Sequence, residues 1–284
     1  MPRTMAGSIE TAFTVEGEGP ALLLFAPGGF GAVRSNWTDL GVYKRLGLLP
    51  SLREHFTCIT FDRREAGESG GRVERISWAH YVQQGLDLLD HLDIERAAVM
   101  GGCIGSSIAA ATALAAPERV SAMILYSPAG GVHYRMGQHR RFVTHLAYAA
   151  EHGLAGVVEL ARSTEEGFSK DPRVGPWCSV IRREEQFAAD YAALDPSDYA
   201  TLVTGLVRLQ FDRDSVPGVE PEDLVTCTVP SLIVPGDDPS HAPSAAHFLS
   251  ECLPKAQLWD IPVKDQQQDN VSLRLIDFLR SAAN

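Results

Sequence analysis

The chain has 284 residues, of which 45% are hydrophobic and 21% charged, and its formal net charge is −11. This composition is typical of a globular protein that is large enough to bury a full core. The acidic balance argues against a nucleic-acid partner or an anionic membrane surface, because both require a basic face. We therefore expect a small-molecule substrate and neither a nucleic-acid nor a membrane partner; the oligomeric state is not predicted.

Cysteine usage and the lack of targeting patterns predict a cytoplasmic protein without a cofactor. No apolar run approaches the roughly 20 residues that span a bilayer, and the first residues lack the apolar core of a signal peptide. The five cysteines are scattered and show no C-x-x-C spacing, which favours reduced thiols over a disulfide framework or a zinc site. The glycine-rich stretch at 28–31 is too short for a dinucleotide fingerprint, and no metal-ligand cluster is evident.

Apolar runs of strand length alternate with helical patterns in the first half of the chain, which predicts a parallel sheet built from βαβ units. The predicted strands are 21–26, 56–61, 97–100 and 120–126. Apolar residues at helical spacing predict a helix over 78–92. A further helix is expected between residues 38 and 55, broken or kinked near Pro50.

The pattern changes near residue 130. Helical patterns dominate residues 130–224 and no clear apolar strand occurs among them, which indicates a long helical insertion. Predicted elements then resume as a strand at 231–235, a helix through 244–253, a strand at 257–263 and a helix over about 270–283. The expected fold class is α/β, a mostly parallel twisted sheet flanked by helices, with a core made of 1–129 and 225–284.

The pentapeptide Gly101-Gly102-Cys103-Ile104-Gly105 is the strongest functional pattern. It follows a predicted strand and precedes a small-residue helical stretch, the context in which G-x-S-x-G marks a nucleophile elbow. Cysteine here replaces serine, and the positive end of the helix dipole favours the thiolate form of Cys103. We predict that Cys103 is a nucleophile and that the amide of Ile104 can donate to an oxyanion.

Three further motifs accompany this elbow in the chain. A glycine loop is similar to H-G-x-x-G with proline in place of histidine. A second segment is similar to D-x-R-G-x-G-x-S, with Glu65 where glycine is usual, and a third is similar to the acid turn G-x-x-D-x-x-V-P. These segments are residues 27–31, 62–69 and 236–243. Together with the elbow they resemble the α/β-hydrolase family over nearly the whole chain, which implies that fold and makes residues 130–224 a helical cap.

The resemblance implies one role for the glycine loop and another for the acid turn. The backbone of Gly29 and Phe30 would supply a second oxyanion donor, and the alternative is a plain tight turn. Asp238 matches the family's acid better than Asp237 does, and an acid there would orient a histidine. The alternative is an aspartate that caps the next helix or holds the turn.

The histidine that the resemblance implies is absent from its usual position near Val263, because residues 264–270 contain none and no histidine follows His247. Two other histidines are candidates for the base. His241 lies three residues after Asp238, and His133 follows the strand at 120–126, where it can face the cavity. Either one is otherwise a surface or structural histidine.

Glu65 is a further candidate for the pocket. It lies near the predicted cavity floor, either close to Cys103 or in an ion pair with Arg63 or Arg64, and the ion pair is favoured.

Three functional hypotheses follow from the sequence. The first is hydrolysis of a small ester, lactone or thioester through a cysteine acyl-enzyme, since cysteine in this position resembles the dienelactone-hydrolase branch. The others are a lyase, isomerase or acyltransferase on the same fold, and an inactive ligand-binding relative.

Overall fold

Eight strands form one sheet in the computed structural model, which describes residues 2–213 and 215–282. The strands are β1 (Arg3–Ala6), β2 (Ile9–Glu16), β3 (Ala21–Phe25), β4 (Thr57–Phe61), β5 (Ala97–Gly102), β6 (Val120–Tyr126), β7 (Ser231–Val234) and β8 (Ala256–Leu258). Their order is β1-β2-β4-β3-β5-β6-β7-β8. The pairs β1–β2 and β2–β4 are antiparallel, and the remaining pairs are parallel.

Helices cover both faces of this sheet. The helices outside the β6–β7 connection are α1 (Asn36–Asp39), α2 (Gly41–Leu46), α3 (Leu48–Leu52), α4 (Trp78–His91), α5 (Gly105–Ala115), α11 (Pro243–Cys252) and α12 (Gln268–Ala282). In β3 the side chain of Leu23 packs in the apolar cluster with α4 and α5, whereas Leu22 and Leu24 pack in the cluster with α1, α2, α3 and α12. All three leucines are fully buried, as expected of a central parallel strand covered on both sides.

The described residues between β6 and β7 form helices and turns and add no strand to the sheet. The helices are α6 (Val132–Ser163), α7 (Cys178–Arg183), α8 (Glu185–Ala192), α9 (Pro196–Phe211) and α10 (Pro221–Leu224). Gly153, with φ 70° and ψ 171°, divides α6 into two parts. Phe30, from the loop after β3, packs edge-to-face on Phe142 and Phe168 at centroid distances of 5.5 and 5.7 Å. These ring contacts fix the helical segment against that loop.

The predicted fold class is confirmed, with three local differences. Pro50 lies inside α3, where its missing N–H is not needed in the first turn, and the chain breaks at Gly47 with φ 54° instead. The last strand ends at Leu258 rather than near 263, since the chain leaves the sheet before Pro262, which has no N–H to donate. The antiparallel pair β1–β2 was not predicted. Residue 283, the predicted end of the last helix, lies outside the described residues.

Candidate active site

Cys103 lies in the turn between β5 and α5 with a backbone φ of 55°. A non-glycine residue in this left-handed region is strained by about 1–3 kcal/mol. The turn is tight because its glycines allow close contact. A Cβ on Gly105 would lie 2.2 Å from the carbonyl oxygen of Phe25, and a Cβ on Gly101 would lie 2.1 Å from the carbonyl oxygen of Gly105. The predicted strand, turn and helix are therefore present, with Cys103 partly buried in the wall of a cavity.

Neighbouring segments hold the elbow in place. The N–H of Cys103 donates to the carbonyl of Tyr126, and the carbonyl of Cys103 accepts from the N–H of Ala129, both at 3.2 Å. The ring of Tyr43 lies against Gly102, whose Cβ, if present, would be 2.9 Å from the phenol oxygen. Burial, followed by Cys103, raises the pKa of Tyr43 well above its usual 10. The Tyr43 hydroxyl is therefore a neutral group beside the thiol.

Asp238 and His241 belong to the turn that follows β7. His241 Nδ1 lies 2.7 Å from Asp238 Oδ2, while Asp238 Oδ1 accepts from the N–H groups of Ser240 at 2.7 Å and His241 at 3.2 Å. The N–H of Gly130 donates to the Ser240 carbonyl at 3.1 Å, which joins this turn to the chain after β6. Asp238 and Asp237 are both exposed at the cavity, but it is Asp238 that holds both the turn and the imidazole.

Cys103 and Asp238 together control the charge of His241. Burial lowers the pKa of His241, but the interactions with Cys103 and then Asp238 outweigh it and raise the pKa from 6.5 to about 9. Burial raises the pKa of Asp238, and the hydrogen bond and charge of His241 outweigh that and lower it. His241 Nε2 is buried without a hydrogen-bond partner of ordinary geometry in the described chain. Its contact with the thiol is therefore loose, as is common before substrate binds.

The loop after β3 offers backbone donors. Gly28 and Gly29 adopt φ values of 123° and 61°. Among residues 2–213 and 215–282, the N–H groups of Gly29, Phe30 and Ile104 donate to no protein acceptor. Arg63 donates to the carbonyl oxygen of Gly29 and lies over the Phe30 ring at 5.4 Å. Because the C=O and N–H of a trans peptide point in opposite directions, this bond turns the N–H of Phe30 away from Arg63.

A cavity of about 580 Å³ opens over the elbow. Its wall contains Cys103, Asp238 and His241, and also the backbone of Gly28, Gly29 and Gly31. Leu40, Val42 and Val263 form an apolar part of the wall, while α6 and residues 165–170 supply polar side chains. The three residues predicted to be catalytic are thus brought to one cavity.

Two residues predicted for the pocket lie elsewhere. His133 is exposed at the start of α6 and does not line the cavity, because the helix turns Tyr134 inward instead. Glu65 is fully buried, with its carboxylate 2.9 Å from Arg64 Nε, and it does not line the cavity either. Burial raises the pKa of Glu65 to about 7, although Arg64 opposes this. The ion pair that the sequence favoured is therefore present.

The loop after β8, where the resemblance implies a histidine, brings Val263 to the cavity. Gln266 fastens this loop. Its buried amide donates to the Pro235 carbonyl at 3.0 Å and accepts from the Tyr126 hydroxyl at 2.6 Å. His241, from the turn after β7, lines the cavity instead.

Several cavity residues were missed by sequence reasoning. They are Tyr43, Ser127, Tyr134 and Gln138. The last two are four residues apart in a predicted helical region, a spacing that indicates one helix face, so this signal was readable. Tyr43, in the short helix α2, and Ser127, directly after β6, carry no comparable signal.

Residues 2–213 and 215–282 contain neither a metal-binding cluster nor a membrane-spanning helix. No three His, Cys, Asp or Glu side chains are grouped so that they could hold a metal ion. None of the helices in that part of the chain combines the length and apolarity needed to cross a membrane.

The sheet order, the elbow and the acid turn define an α/β-hydrolase architecture. A profile of the α/β hydrolase fold matches residues 21–165, just over half of the chain. The protein belongs to the α/β-hydrolase family.

Known relatives and structures extend this result. An uncharacterized protein of Mycobacterium tuberculosis is 36% identical over 130 residues, which are 46% of this chain and 35% of that protein. The chain thus spans about a third of the length of the curated relatives it matches. The enol-lactonase of Burkholderia xenovorans LB400 has a TM-score of 0.64 and 18% identity, covering 98% of this chain and 100% of its own. A meta-cleavage product hydrolase of Pseudomonas fluorescens IP01 has a TM-score of 0.63 and 20% identity, covering 99% and 98%. These likenesses show a shared fold.

Proposed function

We propose that this protein hydrolyses a small ester, lactone or thioester through an acyl intermediate on Cys103. The observation that carries the proposal is the Cys103 thiol at a strained elbow, next to a His241 ring bonded to Asp238 at 2.7 Å. Acyl transfer needs a nucleophile, a base that contacts it and an acid that orients the base. The enol-lactonase and the meta-cleavage product hydrolase of the same fold support this class of substrate.

In the first step the Cys103 thiolate attacks the carbonyl carbon, and the π electron pair moves to the carbonyl oxygen. The N–H groups of Ile104 and Phe30 donate to this oxyanion, and each such donor contributes about 3 kcal/mol. When the carbonyl re-forms, the bond to the leaving group breaks and the His241 imidazolium gives its proton to the departing oxygen or sulfur. A thioester on Cys103 remains.

In the second step a water molecule attacks the thioester carbonyl while neutral His241 takes its proton. Collapse of the tetrahedral intermediate expels the Cys103 thiolate and leaves His241 protonated, which restores the starting ion pair. Asp238 holds Nδ1 throughout and so keeps Nε2 toward the thiol. A thiolate is both a good nucleophile and a good leaving group, which favours activated esters and thioesters over amides.

We also assign residues 130–224 to a cap over a core formed by 1–129 and 225–284. Support comes from α6 and residues 165–170, which line the cavity. All five cysteines are unpaired, which supports the reducing cytoplasm as the location of the protein.

The test is a burst experiment with 4-nitrophenyl butanoate. We expect one equivalent of nitrophenolate in the burst and a butanoyl adduct on Cys103 by mass spectrometry. Cys103→Ala should lose the burst, the adduct and about 1000-fold or more in kcat, because residues of a catalytic unit lose nearly all of its effect when one is removed.

Cys252→Ala is the matched control, since Cys252 is the other partly exposed thiol, and it should retain both burst and turnover. Turnover that survives Cys103→Ala would replace the covalent mechanism with a non-covalent one. Absence of an adduct with any activated acyl donor would refute hydrolysis through Cys103.

A further inference from the structure

One face of α6 brings polar side chains to the cavity. Tyr134, Gln138 and Arg141 are four and three residues apart, which places them on one side of the helix, and all three line the cavity. Tyr134 is 6% exposed and Gln138 is 7% exposed. No protein group in the described chain hydrogen-bonds the amide of Gln138, so that amide is free to bind a ligand.

The Tyr134 hydroxyl is buried and has no hydrogen-bond partner among the described residues. An unpaired buried hydroxyl is destabilising. The ring of Tyr134 packs edge-to-face on Phe211 at 6.1 Å, a contact that phenylalanine would make equally well. Packing therefore does not account for the hydroxyl, whereas an acceptor atom bound in the cavity would satisfy it.

The ring contacts of Tyr134 show on which side of the cavity it lies. Its ring packs on Phe211, and Phe211 packs on Phe30 in the loop after β3 at 6.5 Å. Tyr134 is therefore on the side of the cavity next to that loop. Burial, followed by Cys103, raises the pKa of Tyr134 well above its usual 10, so the hydroxyl is a neutral donor.

In the proposed reaction His241, from the turn after β7, serves the leaving group. The wall next to the loop after β3, to which Tyr134 belongs, is thereby left for the acyl chain of the substrate.

We propose that Tyr134 and Gln138 bind an oxygen atom in the acyl chain of the substrate, so that oxo-, hydroxy- or alkoxy-acyl groups are preferred to plain alkanoyl groups. The Tyr134 hydroxyl donates to that oxygen, and the Gln138 amide donates to it or accepts from it according to its chemistry. Leu40 and Val42, in the apolar part of the wall, offer no such group. The preference rests on the hydrolysis proposed above.

The test compares two esters of equal size, 4-nitrophenyl methoxyacetate and 4-nitrophenyl butanoate, which differ by an oxygen in place of a methylene. Each kcat/KM is divided by the rate of hydroxide-catalysed hydrolysis of the same ester. The wild type should favour methoxyacetate, and Tyr134→Phe should lower this ratio about five- to tenfold, the value of one hydrogen bond. Gln138→Leu should lower the ratio in the same direction.

Tyr148→Phe is the matched control, because Tyr148 is on α6 but stacks on His152 at 4.3 Å and does not line the cavity. It should leave the ratio unchanged. A folded Tyr134→Phe protein with the wild-type ratio would overturn the proposal, even if both rates fell together.

A binding experiment tests the subsite if the protein does not hydrolyse these esters. If the wild type hydrolyses neither ester, the free acids are titrated into wild type and Tyr134→Phe and followed by amide NMR shifts. Tighter binding of methoxyacetate than butanoate by the wild type, lost in Tyr134→Phe, would support the subsite without any turnover. Equal binding of the two acids by the wild type would overturn it.

Discussion

His241 lines the same cavity as Cys103 but comes from an unusual place in the chain. It stands three residues after Asp238, in the same turn, so that one carboxylate accepts from both the backbone N–H and the ring of His241. The position near Val263, where the resemblance implies the histidine, holds an apolar wall instead. Any displacement of Asp238 therefore displaces the imidazole as well.

The interactions of His241 with Cys103 and Asp238 predict a measurable change in its titration. In the wild type, the pKa of His241 should be about 9, and in Cys103→Ala it should fall by about one unit or more, because removal of a nearby opposite charge leaves burial less opposed. Imidazole NMR titration of both proteins measures this. His145, whose pKa burial holds near 4, is the internal reference and should not change.

The raised pKa of His241 determines how activity and stability change with pH. His241 loses the proton that the proposed mechanism delivers to the leaving group as the pH passes about 9, so kcat/KM should decline above that pH. Its contribution to the free energy of unfolding is complete below pH 6.5 and is lost as the pH rises through about 9. A His241 pKa unaffected by Cys103→Ala would contradict the pairing.

The elbow depends on how closely three elements pack. β3, β5 and α5 meet at glycines, and the carbonyl oxygen of Phe25 occupies the space that a side chain on Gly105 would need. Cys103 is held at φ 55° by this packing and by bonds to Tyr126 and Ala129. The strain of the turn is therefore supported by the sheet and not by local sequence preference.

Two glycine substitutions distinguish the effect of close packing on stability from the effect of helix propensity. Gly105→Ala should lower the free energy of unfolding by about 3 kcal/mol, because the added Cβ overpacks the contact with Phe25. Gly137→Ala, within α6, meets no heavy atom nearer than 3.8 Å and should raise it by about 1 kcal/mol. Urea unfolding with unchanged m-values measures both. A fully stable Gly105→Ala protein would show that the elbow can open.

At the scale of the molecule, one apolar cluster joins the sheet to the helical segment. It includes Phe25 and Val99 of the sheet, Phe30 of the loop and Phe142 and Val203 of the segment. The indole of Trp177 also donates to the carbonyl of Arg72 at 2.8 Å. The segment assigned to a cap is therefore not expected to unfold independently of the sheet.

Loss of one aromatic ring should destabilise both parts together. Phe142→Ala should lower the free energy of unfolding by about 3–5 kcal/mol through the lost burial and the cavity left behind. Fluorescence of proteins that retain only Trp37, in the core, or only Trp177, in the segment, should report the same lowered midpoint. Val143→Ala is the control, since Val143 is 66% exposed. Two separate midpoints would show that the segment folds on its own.

Local patterns sufficed for the sheet and the elbow. Residues 22–24 form an uninterrupted apolar run, which indicates a strand covered on both faces, and glycines around Cys103 indicate a turn where backbones approach closely. The pair β1–β2 escaped detection because polar and apolar residues are evenly mixed in it and it lies at the sheet edge, so that no continuous apolar run marks it. The expectation that His133 can face the cavity was wrong, since neighbouring helix residues face different directions and the packing of α6 turns Tyr134 inward instead.

The sequence by itself determined the α/β class, the identity of the elbow cysteine and the candidate acid, because hydrophobic period, glycine placement and motif order are properties of the chain. The tertiary structure decided that His241 and Cys103 share one cavity, that Glu65 pairs with Arg64 away from it, and that Tyr134 lines it. Each of these depends on which distant segments become neighbours. That is set by strand order and by helix packing, since β5, β6 and β7 lie side by side in the sheet and no local pattern encodes that adjacency.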